Sequence, residues 1–159
     1  MTIFSAPAYD AHELVTFGRD EKTGLRAIIA IHDTRLGPAA GGCRRWIYPD
    51  TDTAMGDALR LSRGMTFKNA VAGLPFGGGK SVILGVPHEP ISRAQLEVFG
   101  RWVEDLGGRY ITAEDVGMGV PDLRIVAEQT RYVSGLGNRL GVGGDPSPKT
   151  ALGVLRGIQ

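Results

Sequence analysis

Two lysines, Lys68 and Lys80, flank Gly73-Leu74-Pro75-Phe76-Gly77-Gly78-Gly79, a stretch whose glycines and proline predict neither regular helix nor regular strand. Glycine-rich backbone admits a small ligand closely because no side chain blocks the approach. A lysine in such a setting serves as a fixed positive charge or, with its pKa lowered, as a base. A solvated surface charge is the ordinary fate of a lysine. Here the neighbours are Met65, Phe67, Ala70, Val71, Leu74, Phe76 and Val82, an apolar setting for two cations. Such perturbed groups gather at functional sites, so the pair is a candidate site. Asp115, within Glu114-Asp115-Val116-Gly117, follows an apolar run at the kind of strand end where α/β proteins place ligand groups. A helix N-cap is the competing reading for it.

Other chemistries fit less well. Gly79-Lys80-Ser81 ends like a phosphate-binding loop, whose spacing is G-x-x-x-x-G-K-[ST]. The first glycine would then have to stand at Leu74, and the loop should open a helix, whereas Ser81 to Val86 reads as a short strand. No G-x-G-x-x-G is present: Gly77 and Gly79 would need glycine at Val82, and Gly141 and Gly143 would need it at Pro146. His12, His32 and His88 are far apart and belong to no H-x-x-x-H or C-x-x-C pattern, so no metal site is expected. Cys43, the single cysteine, excludes an internal disulfide and reads as a small core residue in a reducing compartment.

The elements that must hold these side chains follow from periodicity. Leu14 to Phe17 and Leu25 to His32 are β-prone runs joined by a polar segment ending at Gly24, which predicts a hairpin. Gly41 to Tyr48 reads as a third strand. Pro49 to Thr53 offers N-caps for a helix with Ala54, Ala58, Leu61 and Met65 on one face, running through Ala70 and failing by Gly73. Ser92 with Gln95 predicts a capping box, Ile91 with Leu96 a hydrophobic staple, and Gly107 the end of that helix. Tyr110 to Ala113 reads as a strand, Pro121 to Gln129 as a helix with proline in its first turn, Tyr132-Val133 as a last strand, and Gly135 to Asp145 as loop. Ser147-Pro148 starts another helix, which runs to Gln159 without a stop signal, so the chain is expected to end inside an element.

This alternation predicts an α/β fold: three α/β/α layers around a mixed, largely parallel sheet with an antiparallel hairpin at its edge. A length of 159 residues suits one domain with a real core. Net charge is +1 with both signs interspersed, which points to neither nucleic acid nor a membrane surface. No apolar run reaches the roughly 20 residues of a membrane span, and no signal peptide opens the chain, so cytoplasm is the expected location. The 24 glycines, clustered at 37, 41–42, 77–79, 107–108 and 141–144, predict tight loops around a compact site.

Several motifs in fixed order carry a resemblance. They are Gly37-Pro38-Ala39-Ala40-Gly41-Gly42-Cys43-Arg44, Asp57-Ala58-Leu59-Arg60-Leu61-Ser62-Arg63-Gly64-Met65-Thr66-Phe67-Lys68-Asn69-Ala70, Gly77-Gly78-Gly79-Lys80, Tyr110-Ile111-Thr112-Ala113-Glu114-Asp115-Val116-Gly117 and Asp145-Pro146-Ser147-Pro148. Together they resemble the N-terminal, substrate and oligomerisation domain of the Glu/Leu/Phe/Val dehydrogenases, in the leucine dehydrogenase branch. The resemblance implies oxidative deamination of an L-amino acid to a 2-oxo acid and ammonia, NAD as hydride acceptor, and a homo-oligomer. It implies that Lys68 pairs with the substrate carboxylate, that Lys80 is the catalytic lysine and that Asp115 is its partner in proton transfer. Burial and the Lys68 cation are expected to lower the pKa of Lys80. Gly41, Met65 and Ala113 match positions lining the substrate pocket, and Thr150 matches a position near the nicotinamide. Ala40 replaces the bulkier leucine usual in leucine dehydrogenases, which leaves room for a larger, aromatic substrate of the phenylalanine type. The implied organisation is a substrate domain over residues 1–147, with 148–159 starting the helix to an NAD-binding domain absent from this chain. The alternative is a non-enzymatic module that binds an amino acid or oligomerises.

Overall fold

The computed structural model describes residues 2–137 and 147–158, with five strands and four α-helices among them. In chain order these are β1 (Leu14–Arg19), β2 (Arg26–Asp33), β3 (Ala39–Trp46), α1 (Thr51–Val71), β4 (Gly77–Leu84), α2 (Arg93–Asp105), β5 (Tyr110–Ala113), α3 (Val120–Val126) and α4 (Ser147–Ile158). The polar link between β1 and β2 closes because the Asp20 carboxylate accepts from the Thr23 backbone N–H at 2.8 Å and from its hydroxyl at 2.7 Å. That turn sets the expected hairpin register, Leu14 opposite Ile31.

The sheet order is β1-β2-β4-β3-β5. β2 is antiparallel to both β1 and β4, while β4, β3 and β5 are mutually parallel. Four strands therefore point one way and β2 alone runs against them, which is the mixed, largely parallel sheet expected. The near-continuous apolar run of β2 is explained by alternation between two covered faces. Ile28 and Ala30 pack with Val82 against Ala54, Met55, Ala58 and Leu59 of α1. Ala27, Ile29 and Ile31 pack with Ile83 against Leu96, Phe99 and Val103 of α2 and Val126 of α3. These are the three expected layers.

Local signals hold at the helix ends. Ser92 and Gln95 form the capping box of α2, Ile91 and Leu96 share one apolar cluster, and Gly107 adopts φ +60° just past the helix. Asp50 caps α1 by accepting from the Thr53 N–H at 2.7 Å. Several elements differ from the sequence reading. β3 begins at Ala39 and ends at Trp46. α3 starts at Val120 behind Gly119, so Pro121 is its second residue. Val133 makes only an isolated bridge to Thr112, too little to count as a strand. The predicted loop from Gly135 to Asp145, with glycines 141–144, lies largely outside the described residues.

The difference at β4 matters most. β4 begins at Gly77, so the glycines before Lys80 are strand and not loop. They are glycines because the sheet is crowded there. A Cβ on Gly77 would meet the Asp33 carbonyl oxygen at 1.8 Å, one on Gly78 the Thr66 nitrogen at 2.2 Å, and one on Gly79 the Tyr110 ring at 2.7 Å. In a central strand glycine marks close approach of other groups.

Glycine in α1 has no such reason. A Cβ at Gly56 would find nothing within 4 Å. Gly56→Ala is expected to stabilise the fold by about 0.5–1 kcal/mol, since alanine loses less backbone entropy in a helix. Thermal unfolding followed by circular dichroism checks this, and a lowered midpoint would contradict it.

α1 lies along β4 and β2 and only grazes β3. The same face of β3 and β5 is thus left as an uncovered strip beside the helix, and the candidate residues converge on that strip.

Candidate active site

Strand alternation decides which side chains reach the strip. Val82 packs toward α1, so Lys80, two residues earlier, projects to the same face of β4. Its side chain crosses β3 to reach Asp115, and Lys80 is 4% exposed. The Nζ donates to Asp115 Oδ2 at 2.8 Å. Gly42, on the intervening strand, makes this crossing feasible, because a Cβ there would stand 2.8 Å from Asp115 Cβ.

Asp115 is held by a tight turn after β5. Its backbone exchanges hydrogen bonds with Met118, and Gly117 supplies φ +76°. The Arg45 N–H donates to the Val116 carbonyl at 2.9 Å, fastening the turn to the end of β3. Asp115 does not cap α3. The Gly119 N–H at that helix start donates to Asp122 at 2.9 Å.

A third charged group joins the pair. Arg44 Nε donates to the same Asp115 Oδ2 at 2.8 Å, and Arg44 Nη1 donates to Asp57 Oδ2 at 3.0 Å. The Tyr48 hydroxyl donates to that Asp57 oxygen at 2.7 Å, and Arg60 donates to the other at 2.6 Å. Burial lowers the pKa of Lys80. The Asp115 hydrogen bond and charge oppose this, the Arg44 cation adds to it, and the net shift is downward. Arg44, and not Lys68, is therefore the cation that acts on Lys80. Burial by itself would raise the pKa of Asp115, but hydrogen bonds and charges from Lys80 and Arg44 outweigh it and hold the carboxyl below its ordinary value.

Lys68 sits in the last turn of α1, exposed, with no ion pair among the described residues. Its neighbour Asn69 ties that helix end to the sheet, donating to the Gly77 carbonyl at 2.7 Å and to the Ala40 carbonyl at 3.4 Å. No hydrogen bond or ion pair among the described residues joins Lys68 to the Lys80–Asp115 pair.

The smaller site residues form the floor. Gly41 is buried in β3, where a Cβ would meet the Gly79 carbonyl oxygen at 1.8 Å and Met65 Cγ at 3.2 Å. Met65 of α1 is half-buried beside it, and Ala40 and Ala113 are half-buried on β3 and β5. From the opposite face the buried Tyr110 hydroxyl donates to the Gly41 carbonyl at 2.7 Å and shares a 2.9 Å hydrogen bond with Ser81. Thr150 of α4 lines a cleft of about 740 Å3 with Ala151 and the turn from Glu114 to Gly119, so it faces the Asp115 side of the site.

Sequence reasoning missed Arg44, Asp57, Tyr48, Asn69 and Tyr110. Arg44 carried a usable signal, a charge at the third alternate position after Ala40 and Gly42 on one strand face. Nothing comparable marks Asn69. The histidines lie elsewhere: His12 Nε2 contacts the Leu59 carbonyl at 3.0 Å and Ser62 at 3.1 Å, and His32 contacts Thr66 at 2.8 Å. Cys43 is a core residue, its thiol pushed up to about 12 by burial. No helix among the described residues is long and apolar enough to cross a membrane.

The arrangement is a buried amine with a lowered pKa, a carboxylate partner and a separate exposed cation. The amine and carboxylate can pass a proton between them. A family model described as "Glu/Leu/Phe/Val dehydrogenase, dimerisation domain" matches residues 12–132. The leucine dehydrogenase of Geobacillus stearothermophilus is 54% identical over 151 residues, which are 95% of this chain and 41% of that protein. The phenylalanine dehydrogenase of Bacillus thermotolerans is 49% identical over 148 residues, 93% of this chain and 39% of that one. The crystal structure of L-tryptophan dehydrogenase from Nostoc punctiforme superposes with a TM-score of 0.77 at 44% identity, covering 93% of this chain and 41% of that one. The chain thus spans about two fifths of the length of these relatives.

Proposed function

Since the chain belongs to the Glu/Leu/Phe/Val dehydrogenase family, we propose that it forms the substrate half of an NAD-dependent L-amino-acid dehydrogenase of the leucine or branched-chain type. The observation that supports this most is the buried Lys80–Asp115 pair at 2.8 Å. Residues 1–147 then make the substrate and oligomerisation domain, working as a homo-oligomer. Residues 148–159 start the helix toward a cofactor domain that lies outside these residues.

In this reading the Lys68 ammonium pairs with the carboxylate of the L-amino acid, for which a fixed cation suffices. Gly41, Met65, Ala40 and Ala113 receive its side chain. NAD, when bound, supplies the hydride acceptor. The cleft between the 114–119 turn and Thr150 has small residues, Gly117, Gly119 and Ala151, along its walls, which fits a flat ring against Asp115. Thr150 would hold that ring. Oxidation of the substrate leaves an iminium carbon. Lys80, present as the neutral amine, takes a proton from the water that adds there, forming the C–O bond. Asp115 shuttles that proton toward the departing ammonia.

Ala40 supports a second reading of specificity. A small residue where leucine dehydrogenases carry leucine widens the pocket, so a phenylalanine-type substrate is the alternative.

Calorimetric titration of the chain with L-leucine and L-phenylalanine tests both readings. One of them is expected to bind, and Lys68→Ala is expected to weaken it about tenfold, the effect of losing one charge-assisted hydrogen bond. Undiminished affinity in Lys68→Ala would remove Lys68 from the site. Binding without NADH production, once a cofactor domain is supplied, would favour the non-enzymatic module.

A further inference from the structure

We propose that Arg44 is a positioning residue of this site: clamped from behind by Asp57, it fixes the Asp115 carboxylate in register with the Lys80 amine and places a permanent cation beside it. The inference rests on the reading of Lys80 as the base and adds a residue to it.

The geometry is specific to a guanidinium. Arg44 presents Nε to Asp115 Oδ2 at 2.8 Å and Nη1 to Asp57 Oδ2 at 3.0 Å, so one planar group bridges two carboxylates on different elements. An ammonium donates from a single point and cannot reproduce that bridge. Asp57 is itself held, since Tyr48 and Arg60 donate to its two oxygens at 2.7 and 2.6 Å. The chain of contacts therefore runs from the first turns of α1, through β3, to the turn after β5. Lys80 and Arg44 both donate to one oxygen of Asp115. Shared in this way, the carboxylate cannot stabilise the Lys80 ammonium as strongly as it would alone, and the Arg44 charge repels the proton on that amine.

The titratable groups around Lys80 come from each element packed against it. Asp115 follows β5, Arg44 and Cys43 lie on β3, and Asp57 of α1 with Tyr48 stands behind Arg44. Cys43 stays a neutral thiol near neutral pH, pushed up to about 12. Burial and the Asp57 hydrogen bond both raise Tyr48 and keep it neutral as well. Arg44 is thus the cation of this set that faces Lys80.

The test is a lysine-detected NMR titration of Lys80 in the 159-residue chain, in the wild type, Arg44→Gln and Arg44→Lys. In Arg44→Gln the Lys80 amine is expected to titrate about one unit higher, the effect of removing one neighbouring charge. Arg44→Lys keeps the charge but loses the two-carboxylate bridge, so its titration should fall between the wild-type and Arg44→Gln values. Equal shifts in the two variants would show that the charge at this position does not act on Lys80 and overturn the proposal, as would an unmoved Lys80 in Arg44→Gln. If Arg44→Gln does not fold, the wild type still decides: Lys80 titrating at the ordinary lysine value of about 10.4 would overturn it. The outcome is separable from the reading beneath it. An inactive Lys80→Ala enzyme with an Arg44-insensitive Lys80 removes only Arg44, whereas an active Lys80→Ala enzyme removes the base itself.

Discussion

Lys80→Ala is expected to lower kcat for oxidative deamination by about 10²- to 10⁴-fold, the usual contribution of a positioned general base. The assay is NADH formation with L-leucine or L-phenylalanine, in this chain joined to the part of the Geobacillus stearothermophilus leucine dehydrogenase that it does not cover. Affinity for the amino acid should change much less, because the carboxylate anchor is assigned to Lys68. The size of the effect follows from the setting of Lys80. At 4% exposure a lysine loses most of its hydration, which favours the uncharged amine. Asp115 draws the proton back and Arg44 opposes it, leaving a net downward shift. The sign for pH is then fixed. In the proposed mechanism the base works as the neutral amine, so deamination should rise as pH climbs through the lowered pKa and level off above it, reaching its plateau below the range of an ordinary lysine. A near-wild-type kcat in Lys80→Ala, or a rise that begins only near the ordinary lysine value, would sink the assignment.

Gly41→Ala is expected to destabilise the domain by about 3 kcal/mol, the upper end for overpacking a well-filled interior. For a domain of this size that lowers the melting midpoint by about 6–12 °C. The added Cβ would stand 1.8 Å from the Gly79 carbonyl oxygen, so the backbone of β4 or β3 must shift. No side-chain rotamer relieves a clash with a carbonyl. Because Gly79 precedes Lys80, any shift of β4 also moves the amine away from Asp115. Tyr110, whose hydroxyl holds the Gly41 carbonyl at 2.7 Å from the other face, resists movement of β3. Thermal unfolding measures the first consequence and amino-acid turnover the second. A midpoint within about 2 °C of wild type would show that the strands yield where the buried packing says they cannot.

The two glycine groups show where sequence reasoning stops. Gly107 and Gly117 sit at positive φ in turns, the role expected of glycine in loops. Gly41, Gly42 and Gly77–Gly79 lie in strands, and their small size answers to neighbours distant in sequence: Asp33, Thr66, Tyr110 and Asp115. A window of local residues holds no information about those neighbours. Lys68 and Lys80 illustrate the same division. Both were legible as candidates from their apolar surroundings, yet one is exposed at a helix end and the other buried in the central strand. Alternation on β4 sends Lys80 to the α1 face, and only the incomplete cover of that helix leaves β3 and β5 open for it to reach Asp115.

From the order of its residues alone, this protein's layers, hairpin, helix caps and principal charged groups can be inferred. Each depends on interactions a few residues long or on a period of 2 or 3.6. The partner of Lys80 as its second cation, the clamp of Asp57 on Arg44, and the strand identity of the glycines required the folded chain. Those features are set by the sheet order β1-β2-β4-β3-β5, which brings residues 44, 57, 80 and 115 together across three strands and a helix. Electrostatic energies depend on distance and burial, and the sheet together with α1 supplies both.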